Sequence, residues 1–134
     1  MDRVFLDANV IFSAAYKPGS RLCELWSLQG IELVISLYAD EEARRNVRAL
    51  CPGRIDGLEE LLSGITLVSG LVGADLPNDI GLPDKDVPIL LAAIGARCTH
   101  LLTGDVRHFG QLYGVAVHGV LIQTPAQYLL RSRP

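Results

Sequence analysis

Short apolar runs alternate along the chain with stretches whose apolar residues recur every three or four positions. The first run, Val4-Phe5-Leu6, is ended by Asp7, and a helical spacing begins directly after that residue. Clusters of Gly, Pro, Asn and Asp separate the later segments. This pattern predicts strands over 4–6, 32–36, 65–68, 100–103 and 115–117. It predicts helices over about 8–16, 21–28, 38–50, 55–62 and 86–96, a short helix after residue 105 and a closing helix over 124–130.

The alternation of strands and helices predicts an α/β domain. Strands that are apolar throughout, such as 4–6, are typical of a parallel sheet that helices cover on both faces. We expect about five strands, with residues 70–85 forming an irregular loop that leads into the helix at 86–96. In such sheets, ligands bind beyond the carboxyl ends of the strands, where the strand order reverses. The fold class therefore predicts where the functional residues should lie.

The length and the hydropathy pattern limit the class of protein. With 134 residues, of which 49% are apolar, the chain can bury a core of its own, so residues 1–134 are expected to form one domain. The longest apolar runs, such as 89–94, are far shorter than the roughly 20 residues of a membrane span. We therefore expect a cytoplasmic protein without membrane association. The three cysteines lack a zinc-ligand spacing and are expected to be reduced, buried thiols.

The charge distribution bears on nucleic-acid binding. A net charge of −3 argues against a protein that coats nucleic acid, since phosphate binding needs concentrated Lys and Arg. It is compatible with a nuclease, because metal-binding carboxylates make a site acidic before the cations bind. Arg44, Arg45 and Arg48 form a basic cluster that could either face solvent or contact phosphate. The cluster is thus a candidate RNA-binding surface.

Two predicted strands end in an aspartate. Asp7 follows the strand at 4–6, and Asp105 follows the strand at 100–103. Each could cap the helix that comes after it, because Asp is a favoured N-cap residue. As a pair they indicate more than capping, because two carboxylates at one edge of a sheet repel each other unless a cation neutralises them. The pair therefore predicts a metal site.

The helix predicted over 86–96 supplies a third carboxylate. Asp86 lies three and four residues before the apolar Ile89 and Leu90, so it should share their face and point toward the sheet. Asp84 is better placed to cap the helix, although the two roles could be exchanged. Asp86 is thus a predicted metal ligand, and Asp84 is a supporting residue.

Helical geometry separates the adjacent acids Glu41 and Glu42. The apolar stripe of their helix is expected to comprise Ala39, Ala43, Val47 and Leu50. At about 100° per residue, Glu42 lies at the border of that stripe and Glu41 lies almost opposite its centre. Glu42 is therefore the predicted site residue. Asn46, one turn later, could orient the Glu42 carboxylate or contact the substrate.

Four segments together carry a resemblance to a known family. They are Phe-Leu-Asp-Ala-Asn-Val at 5–10, the stretch 36–47 with Glu-Ala-Arg-Arg-Asn at 42–46, Asp-Lys-Asp-Val-Pro-Ile-Leu at 84–90, and Leu-Leu-Thr-Gly-Asp at 101–105. Each segment is a weak signal alone, but the order and separation of the four are fairly specific. Over nearly its whole length, the chain resembles the PIN-domain family, which includes the VapC-like toxin ribonucleases.

The resemblance implies a three-layer fold with a central, mostly parallel sheet flanked by helices, and a metal-dependent ribonuclease activity. The acidic pocket would bind one or two Mg²⁺ or Mn²⁺ ions and hydrolyse RNA phosphodiester bonds. The family's acids fall on Asp7, Glu42, Asp86 and Asp105, and its neighbouring polar positions fall on Asn9 and Thr103. The resemblance also implies a homodimer, and a cognate antitoxin as partner if the protein is a toxin. Arg107 and His108, just after Asp105, are further candidates for contact with phosphate.

Other functions are compatible with parts of this pattern. A non-catalytic PIN-like module would bind RNA or a protein without cutting. A phospho-aspartate signalling domain would also use an Asp at a strand end, but it usually needs a Lys late in the chain, and only Lys17 and Lys85 are present. A phosphatase with an Asp-x-Asp motif is disfavoured, because Asn9 stands at the position of the second acid.

Overall fold

The computed structural model describes residues 1–69 and 80–131. Within these residues the chain forms six strands and six α-helices, with 3-10 segments at Arg21–Ser27, Pro52–Arg54 and Gly110–Leu112. The strands are β1 (Asp2–Leu6), β2 (Ile31–Ser36), β3 (Thr66–Val68), β4 (His100–Leu102), β5 (Ala116–Val117) and β6 (Val120–Gln123). The helices are α1 (Ala8–Tyr16), α2 (Leu37–Leu50), α3 (Ile55–Ser63), α4 (Val87–Gly95), α5 (Val106–Phe109) and α6 (Pro125–Arg131).

The strands of the described residues form one sheet in the order β3-β2-β1-β4-β6-β5. All neighbouring strands are parallel except β5 and β6. The chain moves outward from β1 through β2 to β3 and returns on the other side of β1 as β4. Strand order therefore reverses between β1 and β4, where Leu6 pairs with Leu102. The predicted α/β class and mostly parallel sheet are confirmed.

The central strands are covered on both faces. Val4, Phe5 and Leu6 are fully buried, and successive side chains of a strand point to opposite faces of the sheet. Leu101 and Leu102 in β4 are fully buried in the same way. Apolar side chains from the helices must therefore pack against both faces of β1 and β4, as the layered fold requires. This packing fixes the strand ends from which the site is built.

The pattern missed one strand. Residues 115–117 were predicted as the fifth and last strand, and Ala116–Val117 is in fact the first arm of a hairpin that pairs antiparallel with β6. The parallel neighbour of β4 is β6, which no prediction covered. The two residues between the arms, His118 and Gly119, both have positive φ, as a type I′ turn requires. Such a turn reverses the chain in only two residues, so the second arm begins directly after the predicted strand.

The predicted apolar stripe of α2 is wrong at one position. Ala39, Ala43 and Val47 are fully buried, but Leu50 is 70% exposed. Helical spacing fixes the angular position of a side chain, but not how far the neighbouring elements extend along the helix. Leu50 is the last residue of α2, so it lies on the expected face beyond the end of the packed core.

Three smaller expectations have mixed outcomes. Residues 70–79 of the predicted loop lie outside the described residues, and residues 80–83 have no helix or strand. The cysteines are free thiols, but only Cys98 is buried, while Cys23 and Cys51 are partly exposed. Within the described residues, none of the helices combines the length and apolar character needed to cross a membrane.

A matched pair of substitutions in α2 tests where the core ends. Val47→Ala should lower the free energy of unfolding by about 1–3 kcal/mol, because it removes two buried methyl groups. Leu50→Ala should change it by less than about 0.5 kcal/mol, because its side chain is already in water. Urea unfolding followed by circular dichroism measures both changes. Equal losses in the two variants would contradict this boundary of the core.

Candidate metal centre

The carboxyl ends of β1 and β4 meet at the point where strand order reverses. Asp7 follows β1 directly, and its backbone N–H donates to the carbonyl of Leu102 at 3.0 Å, which continues the pairing of the two strands. Asp105 lies three residues beyond the end of β4. Each aspartate is also the N-cap residue of the helix that follows it. The fold therefore brings both carboxylates to one edge of the sheet, where ligands bind in this class of fold.

A polar pocket of about 220 Å³ opens at this edge. Four carboxylates line it, and each comes from a different segment of the chain: Asp7, Glu42, Asp86 and Asp105. The remaining lining residues are Asn9, Tyr38, Arg45, Asn46 and Lys85. A larger, mainly apolar pocket of about 360 Å³ lies elsewhere, beside Trp26 and Leu61, and has no comparable group of acids. The chemistry of the lining residues, rather than pocket size, identifies the candidate site.

Asp7 is the most buried of the four acids, with 5% of its surface exposed. Its Oδ1 accepts from the backbone N–H of Ala8 at 2.7 Å, and its Oδ2 accepts from the hydroxyl of Thr103 at 3.0 Å. Burial raises the pKa of Asp7 from 3.8 to about 6, against the opposing effect of these hydrogen bonds. The nearby carboxylates of Glu42 and Asp86 raise this pKa further. Ionised Asp7 is thus held in a place that favours a cation beside it.

Two polar side chains join the ends of β1 and β4. The Nδ2 of Asn9 donates to Asp7 Oδ2 at 3.1 Å and to Thr103 Oγ1 at 3.2 Å. The Oδ1 of Asn9 accepts from the backbone N–H of Gly104 at 2.8 Å. Thr103 Oγ1 in turn accepts from the backbone N–H of Asp105 at 3.1 Å. Asn9 and Thr103, which were predicted as supporting residues, therefore fix the separation of the two strand-end aspartates.

Gly104 shows how closely this network is packed. A Cβ atom at this position would lie 3.3 Å from Asn9 Oδ1, which is closer than most such contacts in proteins. A larger residue would therefore press on the side chain that joins the two strand ends.

Asp86 and Asp105 converge on the imidazole of His108. The Nδ1 atom of His108 lies 2.9 Å from Asp86 Oδ2 and 2.7 Å from Asp105 Oδ2. The second oxygen of Asp105 accepts from the backbone N–H of His108 at 3.2 Å, which orients the carboxylate. Burial raises the pKa of Asp86, and the nearby His108 and Lys85 oppose that change. These three side chains form a compact group in which each offers one possible ligand atom to a metal.

The face of α2 that lines the pocket follows helical spacing. Tyr38, Glu42 and Asn46 are spaced four residues apart, so they form a row along the helix. Glu42 lies in the pocket, whereas Glu41 is exposed and does not line it. The helix therefore separates the two acids in the way that the sequence predicted. The role of Glu42 as a metal ligand stays a prediction.

Asp86, rather than Asp84, occupies the N-cap position of α4. Asp86 is the N-cap residue of α4, but its side chain makes no capping hydrogen bond and lines the pocket instead. Asp84 is exposed and does not line the pocket. The preferred assignment of Asp84 to the cap is therefore wrong, and the alternative, that Asp86 stands at the cap position, is correct. Asp86 still faces the pocket, because the cap position leaves its carboxylate free.

The arginine cluster does not act as one surface. Arg44 forms ion pairs with Asp40, at 2.6 Å, and with Glu59 of α3, so this structure does not favour its predicted contact with RNA. Arg45 lines the pocket, whereas Arg48 is exposed and lies outside it. Arg107 is also exposed, beside His108 in a neighbouring pocket of about 310 Å³. RNA contacts by Arg45, Arg48 and Arg107 stay predictions.

Two lining residues, Tyr38 and Lys85, were not predicted as site residues. Tyr38 is 44% exposed, and its hydroxyl donates to the backbone carbonyl of Lys85 at 3.3 Å. Tyr38 lies one turn before Glu42, so the helical spacing that selected Asn46 could also have identified it. Lys85 precedes Asp86 directly, but its proximity to Glu42 and Arg45 depends on the packing of two distant segments.

The lining residues suit a divalent cation. Carboxylate oxygens are the ligands that Mg²⁺ and Mn²⁺ prefer, and these ions need only a few of them because they retain waters. Asp86 Oδ2 is buried, yet it accepts no hydrogen bond of acceptable geometry from the described residues. A buried oxygen of this kind is costly unless a proton or a cation satisfies it. Asp7, Glu42, Asp86 and Asp105 are therefore the residues that could hold the ion.

Sequence comparison identifies two similarities. A family model described as the PIN domain matches residues 3–107. Over 75 residues, the chain is 33% identical to the methylenetetrahydrofolate–tRNA-(uracil-5-)-methyltransferase TrmFO of Pelobacter propionicus. That match covers 54% of this chain and 16% of the methyltransferase. The chain thus spans less than a fifth of this curated relative, whose named activity concerns that whole protein.

Two solved structures share the fold. One is a chain from the crystal structure of VapBC2 from Rickettsia felis bound to a DNA fragment from their promoter, with a TM-score of 0.66 and 15% identity. The match covers 91% of this chain and 98% of that one. The other is a chain from the structure of VapBC-1 from nontypeable Haemophilus influenzae, with a TM-score of 0.60 and 16% identity. It covers 92% of this chain and 98% of that one, so both likenesses show the fold.

The raised pKa of Asp7 should make the metal-free protein less stable as the pH rises. A carboxyl with a pKa near 6 in the folded state and 3.8 otherwise favours folding below about pH 4, and this contribution is lost as the pH rises through 6. The full loss of this contribution lowers the free energy of unfolding by about 3 kcal/mol. Urea unfolding in EDTA should therefore show that the stability of the wild type, relative to Asp7→Asn, falls between about pH 4 and pH 7.

The Asn variant is the control, because it cannot ionise and the hydrogen bonds that it alters contribute equally at every pH. If the stability of the wild type relative to Asp7→Asn stays constant or grows as the pH rises, the raised pKa of a buried Asp7 is contradicted.

Proposed function

Because this chain belongs to the PIN-domain family, we propose that it is a metal-dependent ribonuclease that hydrolyses phosphodiester bonds of RNA. One observation carries the proposal: carboxylates from four separate segments line a single pocket where the strand order of the mostly parallel sheet reverses. Carboxylates repel one another, and a protein that holds four of them around one pocket needs a cation to offset that repulsion. Metal-dependent hydrolysis is the chemistry that such a pocket supports best.

The acidic side chains would share the work of binding the ion. Asp86 and Asp105 line the pocket, and so does Asp7, whose carboxylate accepts a hydrogen bond from Thr103. Glu42 reaches the same pocket from α2. When bound, Mg²⁺ or Mn²⁺ would polarise the phosphate and activate a water for attack on phosphorus. The protein's part is to hold these carboxylates in place before the substrate arrives.

The cationic lining residues would hold the RNA backbone. Arg45 and Lys85 line the same pocket as the acids, so each could contact a phosphate next to the one that is cut. Tyr38 offers a partly exposed ring at the same pocket, and an aromatic ring of this kind can stack on an unpaired base. These residues position a strand and do not by themselves select a base sequence.

This geometry bears on two other functions. A non-catalytic RNA-binding module gains nothing from four acids in the pocket, because they repel phosphate when no cation is present. A phospho-aspartate signalling domain would use Asp7 with Lys85, which do line one pocket. Labelling of Asp7 by acetyl phosphate in Mg²⁺, without RNA cleavage, would favour the signalling domain.

RNA cleavage tests the proposed activity directly. The wild type should cut a mixed-sequence RNA in Mn²⁺ or Mg²⁺, and EDTA should stop the reaction. Asp7→Asn should reduce the rate at least about 100-fold, because it removes a charged oxygen ligand from the pocket. Gel analysis of end-labelled RNA measures the rates.

The adjacent acids of α2 provide a matched pair for the same assay. Glu42→Gln should abolish cleavage, and Glu41→Gln should leave the rate within about twofold, because Glu41 does not line the pocket. Equal losses in the two variants, or cleavage that persists in EDTA, would refute the proposed site.

A role as the toxin of a toxin–antitoxin pair is the biological form of this proposal. The fold is shared with chains of two VapBC structures, and the sequence resembles the VapC-like toxins. An antitoxin would then act by covering the acidic pocket or by placing a basic residue in it. A homodimer is expected from the same resemblance and stays a prediction.

Expression in bacteria tests the toxin role. Induction of the wild type should arrest growth, because uncontrolled cleavage would deplete essential RNA, and induction of Asp7→Asn to the same protein level should not. Colony counts after induction and after its withdrawal measure the effect. If both forms arrest growth equally, or if neither does while the purified enzyme cuts RNA, the toxin role is contradicted.

A further inference from the structure

The imidazole of His108 lies beside the carboxylates of both Asp86 and Asp105. Its Nδ1 atom is buried and makes no hydrogen bond of acceptable geometry with the described residues, although carboxylate oxygens of Asp86 and Asp105 lie 2.9 Å and 2.7 Å away. An imidazole nitrogen carries at most one hydrogen, so it cannot satisfy two converging oxygens at once. The three atoms are close enough together to bind a single cation.

The separations match those of ligands around one ion. Adjacent ligands of an octahedral divalent ion with bonds of about 2.1 Å are about 3.0 Å apart. The two distances from His108 Nδ1 are close to this value, and all three candidate ligand atoms lie within 4.8 Å of one another.

The backbone around His108 restrains its position. The N–H of His108 donates to Asp105 Oδ1, so the residue orients the carboxylate beside which its own ring lies. The next residue, Phe109, is fully buried and anchors the short helix α5 in the core. The imidazole is thus directed toward the acids by a local hydrogen bond and by a packed neighbour.

We propose that His108 Nδ1 binds the same ion as Asp86 and Asp105, and that this nitrogen ligand gives the site a preference for Mn²⁺ over Mg²⁺. The inference rests on the proposed metal-dependent function. Mg²⁺ binds almost entirely through oxygen, whereas first-row transition ions accept imidazole nitrogen more readily. A nitrogen ligand therefore strengthens the binding of Mn²⁺ more than that of Mg²⁺.

Pulsed electron paramagnetic resonance of Mn²⁺ tests the direct bond, with no need for RNA or for activity. The wild type loaded with Mn²⁺ should show ¹⁴N modulation from a coordinated imidazole, and His108→Asn should lose it. His118→Asn is the matched control: His118 lies in the β5–β6 turn, at the start of β6 and so at the opposite edge of the sheet, and its positive φ suits Asn. This control should keep the modulation.

Affinity measurements separate a ligand from a positioning residue. In calorimetric titrations, His108→Asn should weaken Mn²⁺ binding at least about 10-fold and Mg²⁺ binding by less than about threefold. A residue that only orients Asp86 and Asp105 would weaken both ions equally and would show no ¹⁴N modulation.

The outcomes distinguish this inference from the function on which it rests. Tight Mn²⁺ binding that depends on Asp7 but shows no ¹⁴N modulation would overturn the role of His108 and leave the ribonuclease proposal intact. No saturable binding of either ion would overturn both.

Discussion

Repulsion among carboxylates at one edge of the sheet is the constraint on which the candidate site depends. The parallel strands β1 and β4 end side by side, and each delivers an aspartate to the same place, as Asp7 and Asp105. Glu42 and Asp86 add two more acids from neighbouring elements. Placing these four groups together lowers the stability of the fold unless their negative charge is offset, so the proposed cation binding would be linked to the architecture.

The protein tolerates this arrangement because neutral polar groups hold the acids in place. Asn9 and Thr103 bridge the ends of β1 and β4 with hydrogen bonds that do not neutralise Asp7. Burial leaves the pKa of Asp7 at about 6, which reflects the cost of an ionised carboxylate at that position. Holding the acids close together thus lowers the stability of the metal-free protein. Functional sites commonly reduce stability in this way.

Local rules predicted the parts of the site that depend on one element at a time. Asp7 and Asp105 follow from strands that end at a common edge, and the choice of Glu42 over Glu41 follows from helical spacing. The remaining features depend on contacts between distant segments. The ion pair of Arg44 with Glu59 joins α2 to α3, the approach of His108 to Asp86 joins α5 to the start of α4, and the hairpin of β6 depends on a two-residue turn. None of these leaves a periodic signal.

Anomalous diffraction from a crystal of the protein grown with Mn²⁺ tests the central claim most directly, because it locates the ion without reference to any substrate. The account predicts a strong manganese peak within bonding distance, about 2.2 Å, of carboxylate oxygens of Asp86 and Asp105 and inside the pocket that Asp7 and Glu42 also line. The account would be contradicted if the crystal bound manganese only at other surface positions. In that case the four acids would be protonated or paired with cationic side chains of the protein.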